Sequence, residues 1–491
     1  MNKLHSLIHS LSPSEKRYFK LYAQRQVQKK STNYFKLFEA INEQDTYDED
    51  ELLKKFRKET FVKQFGVTKN YLFQIILNAM REYNEENFIE WKIRNYYSQI
   101  KILASKGLDA DAEKLIQKTK ALAWQYEYYY VIMDVLHIEK YLFGNFRIYE
   151  QSLKDFDPIA AEDIKAVDVS YTHTLLGHIW HYLTILEMEI GVLPPETIRA
   201  KADAYVSAKI MQEEPHTSYN SKFRFHATWS LYYNLINDQQ KNYTHCKACI
   251  LIREEQIEKQ PLQNLDPLAS YYNFLVACEK ANRWDEFAYY LQKIWDFEAP
   301  TIEVNIRRMH NYCWCGLMYN LHQKNYTAAA EIVTIYQQFF LEKDIRFRKD
   351  FKIYIEACAG LVHLFRKEYK RALHMWNDIL HGPSVEVELR TQGAVRLYLM
   401  MLHYEEGNID IMDYLATQAK KYLQQIAIWH EPEKHFVKSL NEIAHQPDKG
   451  TRKSKMQALF EQLSAMPIHI AGNAVNPFVL NWVKAQAGLP D

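Results

Sequence analysis

Apolar positions in the second half of the chain follow two rhythms at once. Trp284, Phe287, Ala288, Leu291, Ile294 and Trp295 fall at offsets 0, 3, 4, 7, 10 and 11 from the first of them. Tyr369, Ala372, Leu373, Trp376, Ile379 and Leu380 occupy the same six offsets, and Tyr326, Ala329, Ala330, Val333 and Tyr336 fill five of them. Each set is one stripe on a helix of 3.6 residues per turn. The leading residue also returns at long range: Tyr243, Trp284, Tyr326, Tyr369 and Ile409 are separated by 41, 42, 43 and 40 positions. Each is preceded by a short polar break, such as Ala281-Asn282-Arg283 or Gln323-Lys324-Asn325. Between these helices lie partners with an apolar face of their own; Phe351, Tyr354, Ile355, Cys358, Leu361, Val362 and Phe365 form one. A period of this length predicts a stack of helix pairs, in which one pair cannot bury its apolar face without a neighbour.

The remaining chain reads as helical too. Ser12-Pro13-Ser14-Glu15 predicts a helix start, with Ser12 as N-cap, Pro13 at the first helical position and Glu15 as capping-box partner. Four or five short helices are expected up to residue 86. Breaks at Lys106-Gly107-Leu108-Asp109, Gly144-Asn145-Phe146 and Gly191 to Pro195 punctuate a less regular stretch before the repeats. After residue 430 the pattern changes to helices over Glu431–His445, Lys453–Leu463 and Pro477–Ala487. The last, with Phe478, Leu480, Trp482 and Val483, is expected to close the final exposed face of the stack.

Arg366-Lys367-Glu368-Tyr369-Lys370-Arg371-Ala372-Leu373 and Asn325-Tyr326-Thr327-Ala328-Ala329-Ala330 resemble the turn, aromatic and small residue of the tetratricopeptide-repeat superfamily. That family's unit runs to about 34 residues, so the longer spacing here points to a tetratricopeptide-like array rather than a strict one. The resemblance implies recognition of a protein or peptide on the repeat surface, with no catalytic residues to transfer. The expected architecture is all-α: a right-handed superhelix of about eight helix pairs over 87–430, a small helical N-terminal domain over 1–86 and a helical C-terminal cap over 431–491.

Composition narrows the chemistry. Only 13 glycines occur in 491 residues, well below the average of about 7%, which leaves little material for glycine-rich phosphate loops. Lys+Arg and Asp+Glu are both 61, so no net field draws the protein to nucleic acid or to an anionic membrane. No window approaches the ~20 apolar residues of a membrane span, and no signal peptide is legible. A cytoplasmic protein is the expectation, with six cysteines kept as thiols.

Sharper motifs are few. Glu59 to Asn78 resembles a helix-turn-helix with Gly66-Val67-Thr68 as the turn, and the first 36 residues carry eight Lys/Arg against Glu15 alone. A DNA-binding reading would use Lys69, Asn70, Gln74, Asn78 and Arg81. Against it, Tyr71, Leu72, Phe73, Ile75, Ile76, Leu77, Ala79 and Met80 make that helix apolar nearly all round, the mark of a buried element. Cys246 and Cys249 form a lone CxxC without the second pair zinc needs, and on a helix they share a face as core residues do. His173, His178 and His181 have no acidic partner at matching positions. Glu213-Glu214 and Glu405-Glu406 read as solvated helix ends. Tyr126 and Tyr128 to Tyr130 cannot all point inward from consecutive helical positions. No catalytic residue, cofactor site or metal site is therefore expected. The leading reading is a non-enzymatic scaffold for another protein or peptide; a transcriptional regulator with a DNA-binding N-terminal segment and a ligand-sensing array is the alternative, and an enzyme ranks behind both.

Overall fold

The computed structural model describes residues 3–26, 31–146, 153–189, 194–215, 218–261, 265–341, 349–382, 389–466 and 474–490. Among them there is no strand; the described chain is helices and turns. The residues group into two compact units. One comprises 1–175, 215–222 and 252–266; the other comprises 176–214, 223–251 and 267–491.

The first unit opens with α1 (Lys3–Ser10), α2 (Pro13–Gln26), α3 (Ser31–Asn42), α4 (Glu49–Lys55) and the long α5 (Phe65–Asn87). The expected capping box forms: Ser12 N–H donates to Glu15 Oε2 at 2.7 Å, and Glu15 N–H donates to Ser12 Oγ at 3.3 Å. Ile8, Phe19, Leu37, Phe38, Ile41, Leu72 and Ile76 are the fully buried centre of this helical cluster. A one-residue break at Phe88 leads into α6 (Ile89–Ser105), followed by α7 (Asp109–Gln125), α8 (Tyr129–Phe146) and α9 (Leu153–Met188), which runs out of this unit after residue 175.

Two expectations need correction here. Gly66-Val67-Thr68 is not a turn: a 3-10 segment over Thr60–Gln64 runs straight into α5, and those residues form its first turn. The first turn of a helix has no intrahelical bond to lose at its N–H groups, so a glycine there does not break it. Thr68 points inward and donates to Gln64 O at 3.1 Å. Likewise Gly144-Asn145-Phe146 is helical, as the last residues of α8. The break expected at residues 191–193 lies outside the described residues.

The second unit holds the end of α9, then α10 (Pro195–Val206), most of α11 (Tyr219–Leu235), the first part of α12 (Gln239–Lys259), and α13 (Leu268–Lys280), α14 (Trp284–Asp296), α15 (Ile302–His322), α16 (Tyr326–Tyr336), α17 (Lys349–Phe365), α18 (Tyr369–His381), α19 (Leu389–Glu406), α20 (Met412–Gln425), α21 (Glu431–Ala444), α22 (Lys449–Ser464) and α23 (Pro477–Gln486). From α13 to α21, each helix packs on its successor, and odd-numbered helices also pack on the next odd one. Trp284, Tyr326 and Tyr369 are the first residues of α14, α16 and α18. At offsets 3, 7 and 10, Phe287, Leu291 and Ile294, then Ala329, Val333 and Tyr336, then Ala372, Trp376 and Ile379 are all buried.

A common turn joins the pairs. Asn237, Asn282, Lys324, Lys367 and Gly407 all have positive φ, between 56° and 75°. Each lies two residues before the second helix or helical turn of its pair. At Asn282 the following N–H, of Arg283, donates to Cys278 O at 2.8 Å, while Asn282 N–H donates to Glu279 O at 3.1 Å. The same two bonds recur as Asn325 to Asn320 and Lys324 to Leu321, and as Glu368 to His363 and Lys367 to Leu364. This is the Schellman pattern, which satisfies the last carbonyls of the first helix and reverses the chain.

The shared turn exposes a register error. Asn237 precedes Gln239, so Gln239 is the counterpart of Trp284, and Tyr243 stands one turn further along α12. Residues four apart share a helix face, which is why Tyr243 imitates the leading residue in sequence. Ile409 in turn opens a 3-10 turn, and α20 begins at Met412. The terminal helix α23 lies against several earlier helices. It packs on α22 and reaches α19, where Trp482 Nε1 donates to Glu405 at 2.7 Å and Asn476 Nδ2 to Tyr398 Oη at 2.6 Å. Its Phe478 ring also meets His322 of α15, with centroids 5.1 Å apart.

Candidate functional site

In the second unit, α9, α11, α12 and α13 enclose a groove of about 410 Å³, within the range of sites that hold small ligands. Its lining includes Trp180, Glu187, Asn234, Asn242, Tyr272 and Lys280. Most of the polar groups are neutral amides and hydroxyls; Glu187 and Lys280 bring the two opposite charges. Asn234 joins them, donating from Nδ2 to Glu187 Oε1 at 2.9 Å and accepting at Oδ1 from Lys280 Nζ at 2.7 Å.

Burial works against both charges. It lowers the Lys280 ammonium below its ordinary value, with Glu279 and Glu187 restoring only part of the loss. It raises the Glu187 carboxyl, and Lys280 and Asn234 offset only part of that. Glu187 lines the groove and is itself exposed. The thiol of Cys246, also in the lining, is pushed up to about 11 by burial, partly countered by its contact with Ser230 Oγ at 3.0 Å. A thiol held protonated is a poor nucleophile. Cys246 and Cys249, the lone CxxC, are both buried.

Larger hollows in the first unit offer less. One of about 550 Å³ is lined by Glu113, Gln117 and Glu139, but its buried carboxylate is already held: Glu139 accepts from Gln117 and Lys120, each at 2.7 Å. Lys120 also donates to Glu162 at 2.7 Å, closing that network. Another of about 840 Å³, between α5 and α6, is lined by Arg81, Glu85, Trp91 and Arg94. Two of its cations pair along their own helices, Arg81 with Glu85 and Arg94 with Glu90.

The residues singled out for DNA contact all lie on α5. Asn70, Gln74, Asn78 and Arg81 are exposed, in company with Val67, Tyr71 and Leu77. The helix is therefore amphipathic rather than apolar all round; Phe65, Thr68, Leu72, Ile76, Ala79 and Met80 form its buried face. Lys69 stands apart from the exposed stripe, where its ammonium donates to Glu49 and Tyr47. Among the five, Arg81 is the one cation on that stripe. Of the basic residues before position 37, Lys20 pairs with Glu39 at 2.7 Å and Lys36 with Glu59 at 2.8 Å.

The other sequence candidates do not all fall as expected. Glu405 is no solvated helix end: besides Trp482 it accepts from Gln486 at 3.0 Å and Tyr369 at 2.8 Å. Glu214 lies 3.4 Å from His226, whose Nδ1 is 2.9 Å from that of His245. Burial lowers His245 to about 4, with His226 adding to the effect. Tyr126 and Tyr128 to Tyr130 straddle a turn at Glu127 rather than one helix, which lets Tyr126 and Tyr129 bury while Tyr130 faces out. His178 and His181 are exposed on α9. Among the described residues, no cluster of three or more His, Cys, Asp or Glu could hold a metal ion. No described helix is long and apolar enough to cross a membrane.

The groove itself was not visible in sequence. Glu187, Asn234 and Lys280 come from three helices and lie 47 and 46 positions apart. The one available signal was that these intervals approach the repeat length. Comparison with known proteins adds no further constraint: no family model, no curated protein and no solved structure matches the chain.

Proposed function

We propose that the protein is a non-enzymatic binding scaffold, in which tetratricopeptide-like helix pairs stack into a right-handed superhelix and present a preformed groove to another protein or a peptide. The observation that carries this reading is the groove bounded by α9, α11, α12 and α13. Its walls are rigid helices, its lining is mostly neutral amides, hydroxyls and aromatic rings, and its one charged pair is spread across an amide. Such a lining suits hydrogen bonding to a polypeptide with little ordering cost, because the helices are fixed before the partner arrives. It suits chemistry poorly: burial keeps the Cys246 thiol protonated, and the two histidines in closest contact lie outside the lining.

A photo-crosslinking residue placed at Asn273, exposed in the groove lining, tests this against the same residue at Tyr414, exposed on α20. In native cells, the reading expects a discrete protein adduct from position 273 that is missing from position 414. Equal background at both positions would remove the basis for the proposal.

A further inference from the structure

Two opposite charges share the groove without meeting. Glu187 and Lys280 each bond to one end of the Asn234 amide, at 2.9 and 2.7 Å. Among the described residues, neither has a full counter-charge in direct contact there. Glu279, next to Lys280 in sequence, is already engaged by His322 at 3.1 Å. An amide offers each charge only a dipole, whereas a charged partner would form a shorter, stronger, charge-assisted bond.

The polarity of that amide shows what a ligand would meet once the Asn234 side chain is turned aside. Its nitrogen faces a carboxylate and its oxygen faces an ammonium, across a single carbon. A free α-amino acid carries the same order of groups: an ammonium, a short carbon spacer and a carboxylate. We propose that the groove binds the zwitterionic head of a free α-amino acid, its ammonium on Glu187 and its carboxylate on Lys280. The cavity of about 410 Å³ leaves room beyond the head, where Trp180, Leu231, Tyr272 and Val276 supply an apolar wall for a side chain. Burial, which raises the Glu187 carboxyl and lowers the Lys280 ammonium, leaves each end to gain from a true counter-charge. An extended peptide cannot satisfy both ends at once, because its free ammonium and carboxylate are separated by the whole chain.

This inference goes beyond the scaffold reading and needs only that the groove takes a ligand; no protein partner is required for it. The test is calorimetric titration of the full-length protein with each of the twenty free L-amino acids at millimolar concentration. The binder is then repeated as its N-acetyl form, which lacks the ammonium, and as its amide, which lacks the carboxylate. At least one amino acid is expected to bind, and each derivative to bind at least about tenfold more weakly, the loss of one charge-assisted contact. Glu187→Gln and Lys280→Met should each weaken the parent by a similar factor while leaving the helical circular dichroism unchanged. Binding by none of the twenty, or equal binding by either derivative, overturns the proposal. Because the derivatives are tested on unaltered protein, a variant that fails to fold does not decide the outcome. A positive titration with no adduct from position 273 would remove the scaffold reading and leave this one standing; the reverse pattern would do the opposite.

Discussion

The indole of Trp376 on α18 fills the space that a side chain would need at Gly360 on α17. A Cβ at Gly360 would lie 2.5 Å from Trp376 Cε2 and closer still to Nε1, while that Nε1 donates to Ala357 O at 3.1 Å. Trp376 is fully buried, so the ring has nowhere to retreat. Gly360→Ala should therefore destabilise the protein by about 1–3 kcal/mol, the usual cost of forcing extra volume into a packed core. Trp376→Ala should cost about 3–5 kcal/mol through the cavity it leaves. Urea unfolding measures both, and a neutral Gly360→Ala would mean that the two helices are further apart than described.

In the first unit, Glu127 performs a task at long range in sequence. It lies in the turn between α7 and α8 with φ of 61°. Its carboxylate accepts from the Tyr219 N–H at 2.6 Å, the Asn220 N–H at 2.9 Å and Ser218 Oγ at 3.0 Å. A negative group at the start of α11 satisfies orphan N–H donors and complements the helix dipole. Glu127→Ala should cost about 1.5–3 kcal/mol, the range for hydrogen bonds to a charged group, with Glu127→Gln intermediate. Amide exchange at residues 219–222 should accelerate in both variants; unchanged exchange there would show that the contact is not made in solution.

Glu356 on α17 gives the protein a pH dependence. Burial pushes its carboxyl up to about 7 from the usual 4.5, with Asp378 adding to the rise and Lys352 opposing it. The side chain is 14% exposed. A carboxyl whose folded value is raised contributes stability that is complete below the unfolded value and is lost as pH rises through the folded one. Wild type should therefore weaken relative to Glu356→Gln between about pH 4.5 and pH 7, reaching on the order of 3 kcal/mol above that window. Thermal unfolding of the pair at pH 5 and pH 8 checks this: the melting temperatures should nearly coincide at the lower pH, with the variant higher at the other. A gap that does not widen with pH would contradict the assignment.

What could be read in the sequence was what repeats or caps locally. The Ser12–Glu15 box is legible because both partners lie within four residues. The starts at Trp284, Tyr326 and Tyr369 are legible because an apolar stripe and a polar break recur together. Tyr243 misled because a slip of one helical turn preserves the face. Gly66 and Gly144 misled because a glycine near a helix end need not break it. Glu405 read as solvent-facing because its donors, Trp482 and Gln486, arrive from α23 some 77 and 81 residues later. The groove was hidden for the same reason: Glu187, Asn234 and Lys280 are ordinary residues until three helices bring them together.

Successive helix pairs in the second unit repeat one turn geometry, and the left-handed residue of that turn is where it can be measured. Lys324 and Lys367 hold φ of 56° and 60°, and Gly407 holds 75°. Left-handed backbone costs a residue with a Cβ about 1–2 kcal/mol, against the 0.4–1 kcal/mol or so that a glycine loses through the unfolded chain. Unfolding free energies of Lys324→Gly, Lys367→Gly and Gly407→Ala should then move in opposite directions: the first two unchanged to about 1 kcal/mol more stable, the third about 1 kcal/mol less stable. If both glycine variants lose about 1 kcal/mol, as glycine does inside a helix, the pairs are not joined by a common turn.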